Sequence, residues 1–366
     1  MKVIKIIPSL GFGGIETVFE ITARYYQGSK DDIIFLAMGG GGTAAKVITE
    51  AGFRVVIWNM PTKIPNWKLI PKLVKFIKQE QPDVVHTTGA EANFHGLIAA
   101  RICRIPVRVG EEIGMPVHSR MARLAFRMVY GMSSAVIAVA GQVEDFLTET
   151  KEAPPHKVAM IYNPVDFRIF GVTKNAPEAG RFRMVSICRH TPAKNLDVMI
   201  KAAAALRRRA PELNVELWVV GDGPSRAGLE ELAASLGLGD SVKFWGFQEE
   251  RVQFLTQATL FVLPSYSEGH PISVLEAMMM ETPCIVTRGG GVPEIIEEGK
   301  TGWMMDPLDL EGFTDKLEHI ARLPDAQRRE VGRLAGVNIR ANFPPDLYME
   351  RIWSLYQRNH PNPQAV

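Results

Sequence analysis

The sequence has few cysteines, no long apolar run and no excess of charge of either sign. Its 366 residues include three cysteines, Cys103, Cys188 and Cys284, whose odd number and wide spacing indicate neither a disulfide framework nor a zinc site. No apolar run reaches the roughly eighteen residues of a membrane-spanning helix. A formal charge of +2 argues against bulk nucleic-acid binding. With no signal-peptide pattern, we expect a cytoplasmic protein without a nucleic-acid partner.

Apolar and amphipathic segments alternate along the whole chain. Hydrophobic residues make up 46% of the sequence, enough for a sizeable core. Continuous apolar strands that alternate with helices are typical of parallel sheets covered by helices on both faces. The predicted strands span 3–7, 33–37, 54–58, 83–86, 106–110, 135–140, 184–188, 215–220, 242–246, 260–264 and 284–287. The pattern predicts an α/β protein with two doubly wound, Rossmann-like domains.

The alternation stops at residues 160–182. This stretch is rich in Pro, Gly and Asn and has no helical period, so we interpret it as a linker between the two domains. Open α/β sheets bind ligands at the carboxyl ends of their strands. We therefore expect a ligand site in a cleft where two such sheets face each other.

The segment SEGHPISVLEAM, residues 267–278, places two glutamates around a predicted helix start. Pro271 suits the first helical position, so the helix is predicted to run from about Pro271 to Met280. Amides at such a start lack partners within the helix and, with the helix dipole, bind an anion such as phosphate. The amides concerned belong to Gly269, His270, Ile272 and Ser273. A carboxylate beside phosphate would be repelled, so Glu268 and Glu276 are expected to accept hydroxyl groups of sugars on either side.

Basic residues follow the predicted strand 184–188. Arg189 and Lys194 lie where this strand ends, and two cations at the carboxyl edge of a sheet suit a diphosphate. Taken alone, the pattern is more typical of a solvated basic loop. Gly246 ends the predicted strand 242–246, where its backbone is placed to meet a flat nucleotide base.

A glycine-rich segment, PSLGFGGIET, follows the first strand and precedes a helix predicted to begin near Ile15. Gly13 and Gly14 would offer amides to an anion, although a tight strand-to-helix turn explains the pattern equally well. The third glycine of the dinucleotide fingerprint is missing, which argues against a nicotinamide cofactor. No D-x-D metal motif follows a strand.

Taken together, these segments resemble the retaining, GT-B-fold glycosyltransferases of family 4. The E-x(7)-E motif of that family corresponds to Glu268 and Glu276. The resemblance covers almost the whole chain, in order and spacing, through PSLGFGGIET, DVVHTTGAEANFHGLIAARICRIPVRVG, YNPVD, ICRHTPAKN, VVGDGP and VTRGGGVPEIIEEGKTGWMMDP. It implies a GT-B fold with an interdomain cleft and a C-terminal crossover helix. Residues 1–163 plus 343–366 are accordingly assigned to an acceptor-side domain, and 164–342 to a donor-binding domain.

The resemblance also implies roles for individual residues. Arg189 and Lys194 would hold the donor diphosphate, Glu276 the nucleotide ribose, and Glu268 the transferred sugar, aided by the helix-start amides. Gly14 would approach the phosphate from the other domain. Family members use a nucleotide-diphosphate sugar, here expected to be UDP- or GDP-linked, without a required metal or other cofactor. Cations and a helix dipole supply the charge stabilisation that a metal provides elsewhere.

The sequence departs from the family pattern after the strand 106–110. Many members carry a histidine there, whereas this chain has Glu111 and Glu112, with Glu112 at about the place of the histidine. A glutamate there would take a proton from the acceptor hydroxyl or only bind acceptor hydroxyls, and both alternatives stay open. His86, at the predicted end of a strand, is a further acceptor-side candidate, whereas His95 is expected on a packing face. The resemblance implies front-face transfer, in which the leaving phosphate takes the acceptor proton.

Two smaller departures concern the backbone. Glu281 stands where many relatives have glycine in a left-handed helix cap, so we expect about 1 kcal/mol of strain there without an effect on function. Pro164 replaces a glycine that is common at the hinge, which predicts a stiffer connection.

Two basic amphipathic stretches lie in the first half. Residues 66–81 place lysines at helical spacing beside an apolar side, with Trp67 near the start, and residues 119–130 combine arginines with large apolar residues. Such stretches are typical of helices that touch anionic lipid, but also of outer helices with a solvated basic face. The outer-helix interpretation is slightly favoured, and peripheral contact with the inner face of a membrane stays a hypothesis.

These observations predict a retaining, metal-independent glycosyltransferase that moves a hexose-type sugar, with Glu112, Glu111 and Glu268 as catalytic candidates. Its acceptor would be a glycan or lipid-linked glycan of a surface polysaccharide or glycolipid pathway, which only the resemblance suggests. One alternative is a nucleotide-sugar epimerase of the same fold, which needs no acceptor site. The other is a non-catalytic nucleotide-sugar-binding protein, against which the combination of two cations and two acids argues.

Overall fold

The chain folds into two compact α/β units. In this computed structural model, the described residues are 1–28, 32–116, 118–173 and 180–362. Unit 1 comprises Met1–Pro164 and Pro345–Val366, and unit 2 comprises Val165–Pro344. The two doubly wound domains predicted from the alternation of strands and helices are therefore confirmed.

Unit 1 is built on a seven-stranded parallel sheet. Its strands are β1 (Val3–Ile7), β2 (Ile33–Ala37), β3 (Arg54–Ile57), β4 (Val84–Thr88), β5 (Val107–Glu112), β6 (Ala135–Ala138) and β7 (Val158–Met160). They lie in the order β3-β2-β1-β4-β5-β6-β7, and every pair is parallel. All residues of β1, β2 and β4 are buried, because helices cover both faces of the sheet.

The helices of unit 1 include the last helix of the chain. They are α1 (Gly14–Tyr25), α2 (Thr43–Glu50), α3 (Leu69–Glu80), α4 (Ala90–Ile102), α5 (Arg120–Gly131), α6 (Gly141–Glu149) and α13 (Pro345–Asn359). Helix α13 packs on α1, and the rings of Trp353 and Tyr26 are 4.8 Å apart. The predicted return of the last helix to the first domain is therefore confirmed.

Unit 2 is built on a six-stranded parallel sheet. Its strands are β8 (Arg181–Ile187), β9 (Asn214–Val220), β10 (Val242–Gly246), β11 (Leu260–Leu263), β12 (Cys284–Thr287) and β13 (Trp303–Met305). The order β10-β9-β8-β11-β12-β13 is the strand order of a dinucleotide-binding Rossmann sheet. Its helices are α7 (Leu196–Arg209), α8 (Arg226–Ser235), α9 (Val252–Leu255), α10 (Ile272–Met279), α11 (Leu310–Arg322) and α12 (Asp325–Asn342).

The linker predicted at residues 160–182 extends too far toward its C-terminal end. Strand β8 begins at Arg181 rather than at residue 184, because Arg183 is satisfied inside the sheet. Its guanidinium donates to Glu216 at 2.8 Å and lies 4.0 Å from the ring centroid of Trp218. Residues 174–179 of the predicted linker lie outside the described residues.

Both sheets end in loops that carry the predicted site residues. In unit 1, β4 and β5 are neighbours and end at Thr88 and Glu112. In unit 2, β8 and β11 are neighbours, and the loops after them contain Lys194 and Glu268. Among the described residues, no helix combines the length and the apolar character needed to span a membrane.

Candidate functional site

Glu268 is held at the end of β11 by two side chains. Lys194 donates to its carboxylate at 2.6 Å, and the hydroxyl of Ser265 also donates to it. Lys194 ends a short 3-10 turn that follows β8, and the amide of Tyr266 donates to the carbonyl of Ala193 in the same turn at 3.0 Å. The loops after two neighbouring strands therefore bring a cation and an acid together.

A glycine loop supports the backbone of Glu268. The amide of Gly291 donates to the carbonyls of Glu268 and Gly269, each at 3.0 Å. Gly290 adopts a positive φ of 64°. A Cβ atom there would lie 1.6 Å from the Glu268 carbonyl oxygen, so only glycine fits at this position.

The start of α10 lies directly after this acid. Pro271 precedes the helix as its N-cap residue, one position earlier than predicted, and its carbonyl accepts from Val274 and Leu275 at 3.1 and 3.2 Å. The amides of Ile272 and Ser273 thus have no carbonyl within the helix to bond to, which is the arrangement that binds anions. His270 is 3% exposed, and burial lowers its pKa to about 3. His270 is therefore neutral and adds no positive charge to the helix start.

Glu276 lies more than one turn into α10 and is 6% exposed. Arg251, which precedes α9, donates to its Oε1 atom at 2.9 Å. Burial raises the pKa of Glu276, and the charge of Arg251 opposes this effect. Each of the two acids of the E-x(7)-E motif therefore has its own cation.

The remaining donor-side residues lie at the same edge of the unit 2 sheet. Arg189 is exposed just after β8. Gly246 ends β10 with a φ of 67°, and its carbonyl accepts from the amide of Gly221 at 2.8 Å. A Cβ atom added to Gly221 would lie only 2.0 Å from the carbonyl oxygen of Cys188. The GDGP turn, residues 221–224, therefore has a structural role, because it fixes the end of β10.

Gly13 and Gly14 form the start of α1. Gly13 is its N-cap residue with φ 153°, and its carbonyl accepts from the amide and the hydroxyl of Thr17 at 3.1 and 2.9 Å. The Glu16 carboxylate lies over Gly13, because a Cβ there would be 2.5 Å from its Oε2 atom. This helix start thus carries a negative charge of its own, and a phosphate contact by Gly14 stays a prediction.

A further glycine-rich loop, MGGGGT at residues 38–43, packs against the segment that precedes α1. The amide of Ala44 donates to Gly11 at 3.0 Å, and that of Leu10 donates to Gly40 at 3.0 Å. A Cβ on Gly42 would lie 3.0 Å from the Cα of Gly11. The loop therefore has a packing role that the sequence did not reveal.

The position predicted for His86 is wrong: His86 lies inside β4 rather than at its end, and it is fully buried. Its Nδ1 atom is 2.6 Å from the hydroxyl of Tyr356 on α13, and its Nε2 atom is 3.3 Å from Glu111. Glu111 is also fully buried and accepts from Thr88 at 2.7 Å. Burial lowers the pKa of Lys5 nearby to about 8, an effect that the charge of Glu111 opposes. These side chains form an internal network, which disfavours His86 and Glu111 as ligands of an acceptor.

The pKa values within this network follow from its charges. Burial acts to raise the pKa of Glu111, but the interactions with His86, Lys5 and Thr88 hold it below its usual range. Burial lowers the pKa of His86, and Lys5 lowers it further. The buried network therefore holds an ionised Glu111 and a neutral His86.

Glu112 has different surroundings because successive residues of a strand point to opposite faces. It is 4% exposed, and burial raises its pKa to about 7. His118 interacts with it electrostatically and is bound to Glu152 through Nδ1 at 2.9 Å. Its ring stacks on Phe126 at 4.4 Å, and the bond to Glu152 raises its pKa. A histidine therefore does lie near Glu112, supplied from six residues further along the chain than the family pattern suggests.

Sequence reasoning missed the partners of the predicted residues. Ser265, Arg251, Gly290 and His118 carry no spacing signal that links them to the acids they support. His95 lies on the packing face of α4, as expected, and accepts from the amide of Asn66 at 2.9 Å. Within the described part of the chain, no group of three or more His, Cys, Asp or Glu side chains is placed to hold a metal ion.

Two family models match the chain and together span most of it. The model described as Glycosyltransferase Family 4 matches residues 12–168, and the one described as Glycosyl transferases group 1 matches residues 172–333. Among curated relatives, N-acetyl-alpha-D-glucosaminyl L-malate synthase of Bacillus anthracis is 27% identical over 79% of this chain and 77% of its own length. D-inositol 3-phosphate glycosyltransferase of an Arthrobacter species is 26% identical over 89% and 86%.

Solved structures share the fold over the whole chain. The Anabaena protein HepE in complex with UDP and glucose has a TM-score of 0.82 at 20% identity, covering 97% of this chain and 98% of HepE. Sucrose-phosphate synthase from Thermosynechococcus elongatus has a TM-score of 0.80 at 16% identity, with coverage of 98% and 99%. At these identities the likeness shows a common fold.

Proposed function

The chain belongs to the GT-B glycosyltransferases of family 4, and from this premise we propose that it is a retaining enzyme. It transfers a hexose-type sugar from a nucleotide-diphosphate donor to a glycan or lipid-linked acceptor of a surface polysaccharide or glycolipid pathway. One observation carries the proposal: Lys194, Glu268 and the start of α10 meet at the ends of β8 and β11, with the Lys194–Glu268 bond at 2.6 Å. A cation, an anion-binding helix start and an acid are the groups that a sugar linked to a diphosphate requires.

The charges of unit 2 suit a reaction that releases a diphosphate. When the bond between the sugar C1 atom and the diphosphate oxygen breaks, negative charge develops on the diphosphate. Arg189, Lys194 and the helix dipole of α10 stabilise this charge without a metal. The acceptor oxygen then bonds to C1 on the same face, and its proton passes to the leaving phosphate oxygen. Glu268 holds sugar hydroxyls and forms no covalent bond.

We propose a UDP-sugar as the first donor to test, with a GDP-sugar as the alternative. The support is that HepE, which shares the fold, was crystallised with UDP and with UDP-glucose. Gly246 and the loop after it offer backbone groups to a base.

The donor assignment is tested by measuring the affinities of UDP and UDP-glucose for Glu276→Ala, Glu268→Ala and the exposed control Glu231→Ala on α8. Loss of a hydroxyl bond to a charged group weakens binding by about 10- to 100-fold. We expect Glu276→Ala to weaken both ligands and Glu268→Ala to weaken only UDP-glucose, with loss of transfer. Glu231→Ala should match the wild type. Unchanged transfer in Glu268→Ala contradicts its role, and epimer formation from the donor without acceptor contradicts the proposed reaction.

On the acceptor side we propose Glu112, in preference to Glu111 and His86. Its support is its pKa of about 7, raised by burial, at which it accepts or donates a hydrogen bond near neutral pH. Glu111 and His86 are fully buried, and each has a hydrogen-bond partner inside unit 1. Glu112 then binds an acceptor hydroxyl, or it takes the hydroxyl proton in place of the leaving phosphate oxygen, and a pH profile of the rate separates these two roles.

We further propose that unit 1 binds, through α5, the cytoplasmic face of a membrane that contains anionic lipids. Met121, Leu124 and Met128 lie at helical spacing and are 84%, 61% and 59% exposed, while arginines flank them. Trp67 is 67% exposed, and its ring contacts Phe94, which contacts Phe126 of α5. An exposed apolar ridge beside basic residues fits anionic lipid headgroups. Helix α3 contributes only charge, because Leu69, Leu73 and Ile77 face the core.

Co-sedimentation with lipid vesicles tests the membrane proposal. We expect binding to vesicles that contain phosphatidylglycerol and little binding to pure phosphatidylcholine, with a decrease at high salt. Leu124→Asp should reduce vesicle binding at least tenfold and leave UDP affinity unchanged. The control Val337→Asp changes a residue that is 46% exposed on α12 and should bind vesicles as the wild type does. Equal binding of both variants contradicts the proposal.

A further inference from the structure

Only one of the two carboxylate oxygens of Glu276 has a hydrogen-bond partner among the described residues. Its Oε1 atom accepts from Arg251 at 2.9 Å, whereas its Oε2 atom is buried and has no hydrogen-bond partner among the described residues. Leaving a buried oxygen of an acid without a donor is costly. Folded proteins retain an unpaired buried group of this kind at sites where a bound ligand supplies the missing donor. The unpaired Oε2 atom is therefore where a hydroxyl group of the ligand would donate.

The ionisation of Glu276 depends on a small set of neighbouring charges. Burial and the charge of Asp166 both act to raise its pKa, and Arg251 acts against them. Asp166 precedes the 3-10 turn that packs on α10, and it is bound by Arg168 at 2.6 Å. On α12, which also packs on α10, Arg340 is bound to Glu281 instead. Arg251 is thus the cation that faces the carboxylate.

Arg251 also connects two parts of the donor-binding edge. It directly precedes α9 and follows the loop that leaves β10 after Gly246. Its side chain is 28% exposed and that of Glu276 is 8% exposed, so the ion pair is partly shielded from water and sensitive to the loss of either partner. The planar guanidinium fixes the orientation of the carboxylate as well as its charge.

We propose that Arg251 is a positioning residue for the nucleotide: it balances the charge of the Glu276 carboxylate and orients it so that Oε2 accepts from the ribose hydroxyls. This inference rests on the proposed function, in which Glu276 binds the ribose. Without the cation, the pKa of Glu276 would rise further, and a protonated carboxyl accepts hydrogen bonds from the ribose less strongly than a carboxylate does. The affinity for ribonucleotides would then depend more strongly on pH than it does in the wild type.

The test compares the affinities of UDP and 2′,3′-dideoxy-UDP for the wild type, Arg251→Gln, Arg251→Lys and Glu276→Ala at pH 7 and pH 9. We expect Arg251→Gln to weaken UDP by about 10- to 100-fold at pH 7, with part of the loss recovered at pH 9, because a higher pH favours the ionised carboxylate of Glu276. Arg251→Lys, which keeps a cation, should stay closer to the wild type at both pH values. Dideoxy-UDP should bind all four proteins equally.

Each contrary outcome has a separate meaning. Equal losses of UDP and dideoxy-UDP affinity in Arg251→Gln would show that Arg251 binds the diphosphate or supports the fold, and would overturn the inference. A pH-independent loss, or wild-type affinity in Arg251→Gln, would overturn it as well. If Glu276→Ala leaves UDP affinity unchanged, or if the wild type binds both nucleotides equally, the ribose assignment itself fails.

Discussion

Gly290 offers the sharpest test of how the backbone holds Glu268. Its φ is 64°, and replacement by alanine costs about 1–2 kcal/mol from the left-handed backbone alone. The added Cβ would lie 1.6 Å from the Glu268 carbonyl oxygen, whereas such contacts are normally about 3.3 Å or longer. The segment that carries Glu268 must therefore move by more than an ångström, at a further cost of roughly 1–3 kcal/mol for overpacking.

A displacement of this size removes about 100-fold in rate when it affects a residue that orients the substrate. We therefore expect Gly290→Ala to lower kcat/KM for sugar transfer by about 100-fold and the free energy of unfolding by about 2–5 kcal/mol. Initial rates and urea unfolding measure the two effects. The control is Gly228→Ala on α8, an exposed site with no atom within 4 Å of the added Cβ, which should keep its rate and gain up to about 1 kcal/mol. A folded Gly290→Ala enzyme with wild-type kcat/KM would refute the reasoning.

Two further predictions concern unit 1. Burial raises the pKa of Glu112 from 4.5 to about 7, so its stabilising contribution is complete below about pH 4.5 and is lost as the pH rises through 7. Glu112→Gln should therefore exceed the wild type in unfolding free energy at pH 8 by up to about 3 kcal/mol, and equal it near pH 4. If the transfer rate of the wild type rises through pH 7 and Glu112→Gln loses this rise, Glu112 acts as a base. If the wild-type rate shows no such rise, Glu112 only binds the acceptor hydroxyl. Tyr356→Phe removes the 2.6 Å contact with His86 and should lower the free energy of urea unfolding by about 1–3 kcal/mol, while UDP affinity, measured by calorimetry, stays unchanged.

The sequence missed the three-residue strands β7 and β13, and it misplaced the ends of β4, β5 and β8, where these strands carry polar residues. Strand β5 continues through Glu111 and Glu112, although two glutamates are atypical of a buried strand. Glu111 is tolerated because Thr88 and His86 on β4 interact with it, whereas Glu112 points to the other face, where His118 interacts with it. Such pairing joins residues far apart in the sequence, and no local pattern reports it.

The same limit applies to the candidate site. The spacing of Glu268 and Glu276 and the helix start between them follow from local rules for proline and helix ends, and the structure places them accordingly. Their cations come from the loops after β8 and β10. Only the sheet order brings those loops together, and a single sequence indicates that order without giving side-chain distances.

The return of α13 to unit 1 has a consequence for biosynthesis. Residues 165–344 form unit 2 and leave the ribosome as one continuous segment, so this unit can fold while synthesis continues. Unit 1 begins first but lacks Tyr348 and Tyr356, which lie against Lys5 and His86, until α13 has been made. The side chains that α13 covers in the folded protein therefore stay exposed in the nascent first half of the chain. The last helix to be synthesised completes the folding of the part that was synthesised first.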